Sequence, residues 1–135
     1  MHQLGIAVNW SRIIWLALSL FAAQFLIGFL EGVMSAPDTG ISWLLAGHTV
    51  SLAAGMAIFA SFAMHTPNRP FVHAWLGLLL QVLIAALFSA GLALWLDSIR
   101  LLSVVMEWAV LVAALVVGTS LGIGLRRCSD RRADA

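Results

Sequence analysis

The chain has 135 residues, of which 62% are hydrophobic and 10% are charged, and its mean hydropathy is +1.02. A soluble domain is about half apolar and about a quarter charged, so this composition excludes a water-soluble globule and a disordered chain. A formal net charge of +1 supplies no basic surface for phosphates, which excludes a nucleic-acid-binding protein. The composition predicts an integral membrane protein whose main partner is the lipid bilayer.

Four apolar runs are long enough to cross a bilayer, because a hydrocarbon core of about 30 Å needs roughly 20 helical residues. Their connections are short and rich in Pro, Asp, Asn and Ser, which end helices and form turns. We predict an all-α, up-down bundle of four transmembrane helices in a single domain, residues 1–135, with helices two and four diagonally opposite. The predicted spans are residues 13–34, 41–64, 71–96 and 101–125.

The arginines fall unevenly along the chain, and short Arg-rich segments stay in the cytoplasm. Only Arg100 lies in the first or third connection, which also hold Asp38 and Asp97. We therefore predict a multi-pass protein of the inner (cytoplasmic) membrane with both termini in the cytoplasm. The alternative, a signal peptide in the first run, would leave three spans and break this agreement. The other arginines, in the N-terminus, the second connection and the C-terminal tail, are Arg12, Arg69, Arg126, Arg127, Arg131 and Arg132.

Two spans carry a glutamine near their middle in similar surroundings. Gln24-Phe-Leu-Ile-Gly28 in the first span matches Gln81-Val-Leu-Ile-Ala85 in the third. A duplicated helical hairpin and a chance match in leucine-rich sequence both explain the pair. Each amide could form an interhelical hydrogen bond, or could belong to a binding site.

Small residues four positions apart let helix backbones approach closely. This spacing occurs at Gly28 and Gly32, at Gly47, Ser51 and Gly55, and at Gly118 and Gly122. On the second and fourth helices these stripes lie beside His48 and Glu107. We therefore expect Gly55 and Gly118 to face neighbouring helices and both polar side chains to point inward.

An ionisable group inside a membrane span is costly and marks a candidate functional site. His48 in the second span, and Met106 and Glu107 in the fourth, lie at equal depth below the outer face. Three interpretations stay open: axial ligation of haem iron by His48 and Met106, a structural hydrogen-bonded pair, and a path for a proton or cation. The predicted cofactor-binding residues are His48, Met106, Glu107, Gln24 and Gln81.

The pattern Gln24-x3-Gly28, an outer loop, Ala46-Gly47-His48 and a second glutamine helix at Gln81 resembles one four-helix half of haem A synthase. It is also similar to small four-span membrane proteins of the b-type cytochrome kind. In those families histidines on the second and fourth helices hold haem near the outer face. The resemblance implies haem b as a cofactor and His48 as a ligand, but Met106-Glu107 stands where the second histidine is expected.

His65 and His73 flank the second connection at matching depth and form a weak candidate metal pair, although interfacial histidines commonly cap helix ends. No complete catalytic motif is present, so we do not expect an enzyme. Three functions follow from these patterns. They are a haem-binding or redox membrane protein, an accessory or structural subunit with a membrane-protein partner, and a small dimeric transporter or channel.

Overall fold

The computed structural model describes residues 9–34, 41–66, 69–93 and 101–133, and they form four α-helices. The helices are α1 (Trp10–Met34), α2 (Ile41–His65), α3 (Pro70–Ala93) and α4 (Leu101–Ala133). Each is long and apolar enough to cross a membrane. The predicted spans fall on these helices, apart from residues 94–96. Those three residues and the connections with Asp38, Asp97 and Arg100 lie outside the described residues.

Capping hydrogen bonds and a proline define the helix ends on the side of the bundle where α1 begins and α4 ends. The Asn9 Oδ1 atom accepts a hydrogen bond from the Arg12 backbone N–H at 3.4 Å, which caps the start of α1. Pro70 begins α3, where its fixed φ suits the first helical position. The Arg12 side chain donates from Nη1 to the His65 carbonyl oxygen at 2.6 Å, which ties the start of α1 to the end of α2. We call this end of the bundle the terminal end and the opposite one the distal end.

The most extensive contact in the bundle joins α2 and α4, and glycine makes it close. A Cβ atom added at Gly118 would lie 2.6 Å from the Met56 carbonyl oxygen, and one added at Gly122 would collide with the Ala60 carbonyl oxygen. At Gly55 it would lie 2.9 Å from the Ala114 Cβ atom. The prediction that Gly55 and Gly118 face neighbouring helices is confirmed. The stripe at Gly28 and Gly32 meets nothing within 4 Å, so the expected close approach does not occur there.

The order of the helices around the bundle differs from the sequence-based prediction. Contacts join α1 to α2, α2 to α4, and α1 to α3, with sparser contacts from α3 to α2 and α4. Helices two and four are thus parallel neighbours, and their predicted diagonal placement is wrong. Among the described residues the Cα atoms of α1 and α4 stay more than 8 Å apart, whereas those of α2 and α3 come closer than this. This difference departs from the twofold symmetry expected of two duplicated hairpins, so the proposed duplication stays a prediction about sequence only.

A buried apolar cluster fills the bundle between its centre and its terminal end. Leu16 and Leu20 of α1 pack there with Phe59 of α2, Leu78 of α3 and Leu115 of α4. Buried side chains of this size are close-packed and exclude water. A groove lined by Trp15, Ser19 and Ser61 lies between α1 and α2 beside this cluster, and further cavities lie towards the distal end.

Replacing Gly118 with Leu should destabilise the protein by about 1–3 kcal/mol, because the new side chain meets the α2 backbone, which cannot move aside as a flexible side chain can. Gly124→Leu is the matched control, since a Cβ there meets nothing within 4 Å. Unfolding of the two variants and the wild type in detergent measures the difference. Equal stability of Gly118→Leu and Gly124→Leu would contradict the packing described for α2 and α4.

Candidate functional site

Three ionisable side chains from three helices line one cavity in the distal part of the bundle. Glu31 of α1, His48 of α2 and Glu107 of α4 surround a space of about 200 Å³, which we call cavity A. Gln24 of α1 and Ser51 of α2 add neutral polar groups. The cavity lies between α1 and α4, and α2 forms the wall that joins these two helices. Of the predicted site residues, His48, Glu107 and Gln24 are brought together here.

The register between α2 and α4 places His48 and Glu107 at the same level. Gly55 lies against Ala114, and Phe59 lies against Gly118. The two pairs have the same sequence separation, as expected for parallel helices in contact. His48 and Glu107 have this separation too, two helical turns nearer the distal end. The close packing of α2 and α4 thus accounts for their meeting.

Glu31 belongs to the same cavity, although it lies only about one helical turn from the end of α1. Its carboxylate lies in the space that a side chain at position 47 would fill, so Gly47 is what admits it. Two sequence signals could have identified this residue. Glu31 lies two turns after Gln24 on the same helix face, and Gly47 directly precedes His48.

The charges in cavity A act on one another. Glu107 interacts electrostatically with both His48 and Glu31, attractively with a protonated imidazole and repulsively with the second carboxylate. The lining contains two acids and one base. If both acids are ionised, the cavity therefore carries a net negative charge whether or not His48 is protonated, and this charge attracts a cation.

A second cavity lies between α3 and α4 and shares Glu107 with the first. This space, which we call cavity B, has a volume of about 240 Å³ and is lined by Gln81, Ser89, Glu107 and Trp108 together with apolar side chains. Glu107 therefore borders both cavities. The two predicted glutamines do not meet, because Gln24 lines cavity A and Gln81 lines cavity B.

Met106 does not join His48. Its side chain is 53% exposed, and it is not among the residues that line cavity A. A haem held between α2 and α4 would also need a gap for its ring, but the two helices are in close contact two turns away, at Gly55 and Ala114. The pair His48 and Met106 therefore does not fit the axial ligation of a haem within one chain.

His65 and His73 each bind a backbone carbonyl four residues earlier in the chain. The His65 ring nitrogen Nδ1 lies 2.7 Å from the Ser61 carbonyl oxygen, and that of His73 lies 3.1 Å from the Arg69 carbonyl oxygen. Because a carbonyl only accepts, each Nδ1 atom carries a hydrogen and donates it. Within the described residues, no group of three or more His, Cys, Asp and Glu side chains could hold a metal ion. The metal pair suggested by the sequence stays a prediction.

Replacing Gly47 with Ala should displace the Glu31 carboxylate and change the surroundings of His48 without unfolding the protein, because a flexible side chain can move aside. The measurement is the nitrogen chemical shifts of the His48 ring in protein labelled at histidine, assigned with His48→Gln. Gly32→Ala is the control, since a Cβ there meets nothing within 4 Å. Unchanged His48 shifts in Gly47→Ala would contradict the described position of Glu31.

Comparisons with protein-family models, curated proteins and solved structures find no match to this chain. The resemblance to haem-binding four-helix proteins, drawn from short sequence motifs, stays a prediction. A functional interpretation therefore depends on the geometry and charge of the two cavities and on the four apolar helices around them.

Proposed function

We propose that the protein is a multi-pass protein of the inner (cytoplasmic) membrane and that cavity A binds a proton, or a small monovalent organic cation that competes with it. Four helices of membrane-spanning length support the first part. Large apolar side chains on the outside of the bundle suit contact with lipid, among them Phe29, Leu45 and Leu121. The second part depends on one observation, the meeting of Glu31, His48 and Glu107 in cavity A.

The chemistry follows from the cost of charge in a membrane. An uncompensated charge inside a span costs several kcal/mol, so the cavity is most stable when its net charge is close to zero. Two ionised carboxylates with one protonated imidazole leave one negative charge. One further proton on a carboxylate, or one bound cation, removes it. A site of this kind exchanges single positive charges, which is the requirement of proton-coupled transport.

The access to the site favours a carrier over an open pore. Cavity A lies near the distal end, whereas Leu16, Phe59 and Leu115 fill the bundle towards the terminal end. A cation that enters from the distal side meets close-packed apolar side chains before it can cross. Passage through the bundle therefore requires a change in helix packing. Because one bundle encloses only small cavities, we propose a homodimer as the working unit.

Replacing Glu107 with Gln should slow proton entry into liposomes by about 10²-fold or more, the usual effect of removing a positioned proton-transfer group. A potassium diffusion potential drives the protons, and an entrapped pH-sensitive dye reports their entry. Asp130→Asn is the matched control. It makes the same chemical change on an exposed residue that pairs with Arg126 four positions earlier.

Wild-type proton entry in Glu107→Gln liposomes would contradict the assignment of this carboxylate. If proton entry into liposomes with the wild-type protein is as slow as entry into protein-free liposomes, this result would contradict transport. That result would favour the alternative prediction, an accessory or structural subunit of a membrane complex.

The proposed orientation places the terminal end in the cytoplasm, because Arg12, Arg69 and the four arginines of α4 lie at that end. A reporter fused after Ala135 that works only in the cytoplasm should be active. Activity of a reporter that works only in the periplasm, fused at the same position, would contradict this orientation and place the open side of cavity A in the cytoplasm.

A further inference from the structure

Gln81 is the most deeply buried polar group beside either cavity. It lies in the middle of α3, its side chain is 3% exposed, and its Oε1 atom has no hydrogen-bond partner within the described part of the chain. Leaving a buried amide oxygen without a donor costs about 1–3 kcal/mol. Because Gln81 lines cavity B, a donor bound in that cavity would remove the cost.

We infer that cavity B stabilises the protonated state of Glu107 through a bound water that links Gln81 Oε1 to the Glu107 carboxyl group. This inference rests on the proposed function, because Glu107 receives its proton in cavity A. When Glu107 is protonated, its O–H group donates to this water, which in turn donates to Gln81. When Glu107 is ionised, its carboxylate accepts a hydrogen bond from the same water. Within cavity B only these hydrogen bonds form and break, and the O–H bond of Glu107 forms and breaks on the side of cavity A, where the proton arrives and leaves.

Cavity B meets the physical requirements for bound water. A buried water needs room for itself and two to four polar partners. The volume of about 240 Å³ exceeds the space needed for several waters, and polar atoms come from Gln81, Glu107, Ser89 and Trp108. A purely apolar cavity of this size would stay dry, but the Gln81 amide and the Glu107 carboxyl group make this one partly polar.

Glu107 is placed to serve both cavities. On the side of cavity A it faces Glu31 of α1 and His48 of α2. On the side of cavity B the residues that α3 contributes are all uncharged, and the polar ones among them are Gln81 and Ser89. Both ionisable neighbours of Glu107 that line these cavities are therefore in cavity A. The charged state of Glu107 is set by cavity A, and its protonated state is stabilised by the acceptor in cavity B.

Infrared spectroscopy of the protein in liposomes tests this arrangement. The C=O band of protonated Glu107 is the one that Glu107→Gln removes. In Gln81→Leu and in Gln81→Met this band should shift to higher frequency, because the water bound to the carboxyl group loses its acceptor. Proton entry should fall about tenfold, the factor that corresponds to one hydrogen bond of ordinary strength. Two apolar replacements of different shape are used, so that misfolding of one variant still leaves the other to test the inference.

Thr119→Val is the matched control, because Thr119 is fully buried and its Oγ1 atom also lacks a partner among the described residues, yet it lines neither cavity. It should change neither the band nor proton entry. If Glu107→Gln stops proton entry but both Gln81 variants keep the wild-type band and rate, cavity A acts alone and the inference is wrong while the proposed function stands. If Glu107→Gln leaves proton entry unchanged, both fail.

Discussion

The close contact between α2 and α4 is the constraint on which the rest of the structure depends. It exists because Gly118 and Gly122 have no side chain where the backbone of α2 passes. Once these two helices are in register, His48 and Glu107 lie at one level, two turns from the first close contact. The same contact draws α4 away from α1, and cavity A opens in the gap between them. A packing interaction between small residues thus fixes the position of the ionisable ones.

The ionisable groups of cavity A and the buried apolar cluster occupy different parts of the bundle. Glu31, His48 and Glu107 lie towards the distal end, whereas the apolar cluster around Phe59 and Leu115 lies towards the terminal end. A charged group in the apolar part would lack both water and partners, which is costly. In the distal part the ionisable side chains of Glu31, His48 and Glu107 line one cavity.

Much of this fold follows from the sequence, but the order of the helices does not. Apolar runs predict the four helices, and glycine spacing predicts the packing faces of Gly55 and Gly118. Short connections suggest that sequential helices are the closest neighbours. The volume of the side chains at each contact decides instead which helices approach most closely. These volumes must fit together for all four helices at once, so no single helix sequence predicts the order. Equal depth predicted the meeting of His48 and Glu107. Glu31 lies two turns after Gln24, but it was missed because a carboxylate about one turn from the end of a span is expected to reach water.

The central claim is that His48 and Glu107 act together in one site, and a double-mutant cycle tests it most directly. The free energy of unfolding in mixed detergent micelles is measured for the wild type, His48→Gln, Glu107→Gln and the double variant. Groups that share a site show an interaction energy of about 0.5–3 kcal/mol, whereas independent groups add to within about 0.3–0.5 kcal/mol. The account predicts an interaction energy in the first range. Additive effects of the two substitutions would contradict it.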